Sequence, residues 1–169
     1  MDIIEKYKDK LDNDTLRLIK ENISLSQINN YRDEFEKLII DIIKVPYEYS
    51  GVYKGINYKI LRHNSDLHLN GYIENNLNIE QNEYFDICEE LFHGGITSGY
   101  ENNGCGFDTA HSGDYHLMCF NRNPPIYKDL EYVKNIIFKT IDKISKLPEY
   151  YNKYGNFKNY CYSHYFKKN

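Results

Sequence analysis

The chain contains no tryptophan, four arginines, four prolines and four cysteines in 169 residues. No apolar run approaches the length needed to span a bilayer, so no membrane insertion is expected. The cysteines, Cys88, Cys105, Cys119 and Cys161, include no CxxC spacing. The opening MDIIEKYKDK is charged and lacks the apolar segment of a secretory signal. Both features lead to the expectation of reduced thiols in a cytoplasmic protein. Positive charge is not in excess either. The net charge is −4, so no global basic field draws the chain to nucleic acid, and direct nucleic-acid binding is not expected.

What is abundant is Tyr, Asn, Ile and Lys, the residues that AT-rich codons produce; 18 tyrosines reflect that bias rather than a function. A chain of this length can bury a core without metal or disulfide staples, and one domain spanning 1–169 is expected. Residues 1–45 read as helical. Asp12, Asn13 or Asp14 offers a cap ahead of Leu16, Leu18 and Ile19. After a Ser24 or Ser26 cap, Ile28, Tyr31, Phe35, Leu38, Ile39 and Ile42 form one apolar stripe, which Pro46 ends. From 47 to 120 the chain reads as sheet. GVYKGINYKILRH and LHLNGYIEN are strands of an antiparallel meander joined through HNSDLH, a turn by composition. YFDICEELFHGGI is read as a further strand, with Phe85, Ile87 and Glu89 on one face and His93 at its end. GCGFDTAH supplies a short strand that stops near Asp108. A helix over 129–147 follows, capped by Asp129, with Leu130, Val133, Ile137, Ile141 and Ile144 as its stripe and Pro148 as its stop. The last segment, 149–169, is Tyr-rich and lightly basic. It reads as an arm that wraps the domain, or as aromatics interleaved with lysine that stack on bases. The fold class that results is α+β: N-terminal helices, a mostly antiparallel sheet, and a long C-terminal helix packed on one face.

Chemistry concentrates in HGGITSGYENNGCGFDTAHSGDYH, residues 93–116, which holds three of six histidines and six of ten glycines. Asp108, His111 and Asp114 are three apart, but the glycines around them argue for a strand followed by a loop rather than a helix. Three chemistries fit. His93, Asp108, His111 and Asp114 are ligand types for a divalent metal such as Zn²⁺ or Mn²⁺. The same aspartates can orient the histidines for general-base work without metal. Gly94, Gly95 and Gly113 can open the backbone to a phosphate-bearing ligand. Cys105 and Ser112 stand in no nucleophile motif. Against all three stands a purely structural loop in which Asp caps, His donates to carbonyls and Gly satisfies turn geometry.

The order of HLNGYI (68–73), FHGGITSGY (92–100), GFDTAHSGDY (106–115) and LEYVKNIIFKTIDKI (130–144) resembles a family of small, uncharacterised phage and bacterial proteins. Their pattern runs N-G-Y-[VI], H-G-G-[LI]-T, G-F-D-[CT]-A-H-x-G-D and a terminal helix beginning L-x-x-V, and it covers about residues 68–147. Gly104 and Cys105 stand where that pattern has bulky aromatics. The resemblance implies that His93, Asp108, His111 and Asp114 belong to one motif. Two functions of different class follow. The first is a metal- or His/Asp-assisted hydrolase acting on a nucleotide or other phosphate-bearing small molecule. The second is a non-catalytic phage accessory protein that binds and inhibits a host protein, such as a CRISPR effector, or sequesters a signalling nucleotide.

Overall fold

A computed structural model describes residues 3–45, 47–77, 79–118 and 124–149. Pro46, Cys119, Cys161 and the Tyr-rich tail beyond residue 149 lie outside the described residues. The helical first segment holds four helices: α1 (Ile3–Tyr7), α2 (Asn13–Asn22), α3 (Leu25–Asn30) and α4 (Arg32–Lys44). Of the three candidate caps for α2, Asp12 is the one used, accepting from the Thr15 backbone N–H at 2.8 Å. Ser24 starts α3 with a reciprocal capping box to Gln27. The single stripe expected from Ile28 to Ile42 is divided between two helices, because Tyr31 leaves the helical region at φ −127°, ψ 40°. Ile28, Phe35, Leu38, Ile39 and Ile42 are nonetheless all buried.

The sheet has five antiparallel strands in the order β1-β2-β3-β5-β4. They are β1 (Glu48–Tyr53), β2 (Ile56–Arg62), β3 (Leu69–Ile73), β4 (Ser98–Tyr100) and β5 (Gly104–Asp108). The segment read as a strand with His93 at its end is instead helix α5 (Gln81–Leu91). The period decides it: Tyr84, Ile87 and Cys88 are buried at helical spacing, whereas Glu89, needed on the buried face of a strand, is exposed. Helix α6 (Leu130–Ile144) begins on the Asp129 cap and buries Leu130, Val133, Ile137, Ile141 and Ile144, its expected stripe. It ends three residues earlier than the sequence suggests. The architecture is therefore α+β, with α6 against β2 and β3 on one face of the sheet.

Strand alternation sorts the residues. Ile56, Tyr58, Ile60, Leu69, Ile73, Cys105 and Phe107 form one core with α5 and α6. Cys88 and Cys105 are free and buried within it, where burial pushes the Cys88 thiol well up. A second core joins the N-terminal helices to Leu67, Tyr115, Leu117 and Tyr127, residues of the loops at the sheet's end. The opposite sheet face carries Lys59, Asn70, Tyr72, Gly106 and Asp108, with α6 on the far side of the sheet.

A buried ion pair sits where the two cores meet. Arg62 Nη2 is 3.0 Å from Asp41 Oδ2, with the side chains 1% and 7% exposed. Arg62 also donates to the carbonyls of Val45 and Leu67 and to Tyr127 Oη. Asp41 accepts from Tyr127 Oη and from the Leu130 backbone N–H at the start of α6. Removing one member leaves the other charge buried and uncompensated. Arg62→Leu or Asp41→Leu alone should cost about 3–5 kcal/mol in urea unfolding. The double variant should cost clearly less than the sum of the two, and strict additivity would show that the pair is not coupled.

Candidate functional site

The loop after β5 turns back on itself, and the short bridge between Asp114 and Ile126 anchors it. It brings His93, Asp108, His111 and Asp114 into one neighbourhood, in two pairs. Behind stands His93, whose Nε2 is 2.6 Å from Asp114 Oδ2 and whose Nδ1 is 3.0 Å from Tyr132 Oη. A carboxylate oxygen accepts, so Nε2 donates to it, and Nδ1 shares a hydrogen bond with the Tyr132 hydroxyl. Both nitrogens of His93 are thus engaged. Asp114 Oδ2 also accepts the backbone N–H of His111 at 3.0 Å, and its Oδ1 faces Lys128 Nζ at 3.9 Å. Burial alone would push Asp114 up; the hydrogen bond and charge of His93, the His111 N–H and the charge of Lys128 overcome it and hold the carboxyl low.

In front stand His111 and Asp108. His111 Nε2 is 3.1 Å from the His93 carbonyl oxygen and 3.7 Å from Asp108 Oδ1. A carbonyl can only accept, so Nε2 is protonated and Nδ1 holds the lone pair of the neutral ring. Gly94 makes this placement sterically feasible. Its φ is +72°, and a Cβ there would lie 2.0 Å from His111 Nε2. The glycine expected to admit a phosphate thus admits an imidazole. Gly95 has φ +87° with the Glu89 carboxylate against it, and Gly113 has φ +99° beside open space.

A cleft of about 410 Å³ lies on the sheet face away from α6. Asp108, Ala110 and His111 form one wall; Asn70, Tyr72, Thr97 and Ser98 also line it. Asn70 stands opposite Asp108 in the β3–β5 register, and its Oδ1 is buried without a hydrogen-bond partner. The Tyr72 ring lies over Gly106, where a Cβ would be 2.4 Å from it, and beside Tyr100 with ring centroids 4.8 Å apart.

The remaining wall is formed by His63 and His68, from the segment read only as a turn. These residues extend the β2–β3 pairing by one step, with the His63 N–H donating to the His68 carbonyl at 2.8 Å. Their rings stack at 4.7 Å, and each Nδ1 points at Asp66 Oδ1, at 2.5 and 2.9 Å. His116 Nδ1, from the motif loop, is 3.4 Å from Asp66 Oδ2. Burial would raise the Asp66 carboxyl, but His116, His68 and His63 hold it well below the usual carboxylate range. Among the described residues, His63, Asp66 and His68 are the group that brings three metal-ligand atoms within 4.8 Å of one another; the His93, Asp108, His111 and Asp114 set does not. The spacing His-x₂-Asp-x-His inside HNSDLH is the sequence signal for this cluster. No helix among the described residues is long and apolar enough to cross a membrane. No family model, curated protein or solved structure matches the chain.

Gly94→Ala should cost at least about 1–2 kcal/mol from its left-handed backbone alone. It should also displace His111, seen as a changed imidazole resonance; an unshifted His111 would show that the ring is not held as described. Asp114 carries a second expectation. Its folded pKa is depressed, so the stability it contributes is present above its unfolded value of about 3.9 and is lost as pH falls through the folded value. The gap in melting temperature between wild type and Asp114→Asn should therefore narrow as the solution is acidified below about pH 4. A gap that stays constant would contradict that assignment.

Proposed function

We propose that the chain is a His/Asp-assisted hydrolase acting on a nucleotide or a similar phosphate-bearing small molecule in the cleft on the open sheet face. The observation that carries this reading is the pairing of His111 and Asp108 on a wall of that cleft. His111 presents the lone pair of Nδ1 as a general base toward an attacking water, and Asp108 steadies the imidazolium that forms. His93 and Asp114 act as positioning residues: the His93 carbonyl fixes the His111 tautomer, and Asp114 holds the His93 ring and the His111 backbone N–H through one carboxylate oxygen. The Tyr72–Tyr100 pair supplies a flat aromatic surface on which a base can stack. The unpartnered Asn70 Oδ1 is an acceptor for a sugar hydroxyl or an exocyclic amine. No lysine or arginine is among the described residues that line the cleft, so neutralising a phosphate there calls for an imidazolium or a metal ion.

The test is turnover across mono-, di- and cyclic nucleotides, with and without Zn²⁺ or Mn²⁺, read as released phosphate or nucleoside. His111→Ala should lower kcat by about 10²–10⁴-fold, with a much smaller change in KM. Nucleotide that binds but is recovered intact would replace hydrolysis with sequestration. Neither binding nor turnover, together with co-elution of a protein target, would favour the effector-inhibitor reading.

A further inference from the structure

We propose that His63, Asp66, His68 and His116 form a zinc site at the cleft wall made by His63 and His68, separate from the His93 and Asp114 cluster. Three imidazole Nδ1 atoms surround one carboxylate, at 2.5, 2.9 and 3.4 Å. In a tetrahedral zinc site with donors about 2.1 Å from the ion, neighbouring donors lie about 3.4 Å apart. Small outward shifts of His63 and His68 from Asp66 Oδ1 turn that triad into three corners of such a shell, and His116, which faces the other oxygen, Oδ2, at 3.4 Å, moves in to supply the fourth. The His116 Nδ1 is buried, and Asp66 Oδ2, at 3.4 Å, is the partner it faces, at a geometry short of a good hydrogen bond.

The donor set selects the metal. Three imidazoles and one carboxylate suit zinc. Calcium and magnesium instead seek six or more oxygens, and the described cysteines, Cys88 and Cys105, are packed in the core. The frame is rigid where a ligand frame needs to be. His63 and His68 are fixed by the last step of the β2–β3 ladder, and Arg62 grips the Leu67 carbonyl at 2.8 Å. The Leu117 N–H donates to the Asp66 carbonyl at 3.0 Å, which ties the His116 loop to the Asp66 loop. Leu67 holds a left-handed φ of +61°, so the turn keeps a costly backbone conformation while presenting its polar side chains together. His63 and His68 also line the cleft, and a bound ion adds positive charge to a lining in which the described residues include neither lysine nor arginine. The assignment rests on this geometry and does not depend on turnover.

The full chain, stripped with a chelator, is titrated with zinc against a chromophoric competitor, and with cobalt(II) to read the visible bands of a four-coordinate site. One equivalent should bind, and zinc should raise the melting temperature. His63→Ala, His68→Ala and His116→Ala should each weaken binding by more than the roughly 10–100-fold lost when only a ligand's hydrogen-bond partner is removed. The His63 side chain is 46% exposed, so His63→Ala leaves no core cavity and stays folded even where His68→Ala does not. His93→Ala should leave the zinc affinity unchanged. Failure of the wild type to bind zinc overturns the proposal. So does retention of binding in His63→Ala with loss in His93→Ala. Zinc binding without hydrolysis would support this site while rejecting the hydrolase.

Discussion

Arg62 and Asp41 are the point on which the two halves of the molecule depend. Apolar contact alone would let the N-terminal helices slide over the loops at the end of the sheet, because such contact is not directional. The guanidinium fixes them by donating at once to Asp41 on α4, to the Val45 and Leu67 carbonyls and to Tyr127. Asp41 in turn receives the first N–H of α6. A buried pair of this kind is costly to desolvate, and it persists when nearly every donor and acceptor is matched. It also sets the place of the candidate site, since Arg62 is the residue before His63 and holds the carbonyl before His68.

The cleft follows from how the sheet divides its two faces. One face is committed to α5 and α6, and the short-period alternation of β2, β3 and β5 sends polar and aromatic side chains to the other. Two loops at the same end of the sheet then contribute histidines: 63 and 68 from the β2–β3 turn, 111 from the segment after β5. Gly106 and Gly94 matter because of what lies against them. One lets Tyr72 lie over β5; the other leaves room for His111.

Two carboxylates organise the imidazoles in different ways. Asp114 is spent inside the protein, on His93 and the His111 backbone, and this network aligns His111 rather than meeting a ligand. Asp66 gathers three imidazoles around one carboxylate, two at Oδ1 and one at Oδ2. The difference lies in what else reaches each cluster. Around Asp114, a tyrosine hydroxyl, a backbone N–H and a lysine complete the bonding; around Asp66, three like ligands face one oxygen pair.

Much of the fold was legible in the sequence because it is encoded locally. The caps at Asp12, Ser24 and Asp129, the α6 stripe, the β1–β3 meander and the end of β5 at Asp108 each depend on residues within a few positions of one another. The gathering of histidines and aspartates in 93–116 was legible for the same reason. Where two periods competed, as in YFDICEEL, burial decided for the helix, and burial is a property of the whole molecule. The role of Gly94 was likewise decided by a ring that comes from 17 residues further along the chain, His111. Only the tertiary structure put His116 beside Asp66, and His63 and His68 on the same cleft as His111. Those distances are set by strand register and by the loop contacts that Arg62 anchors, and no short stretch of sequence carries a register between segments about 50 residues apart.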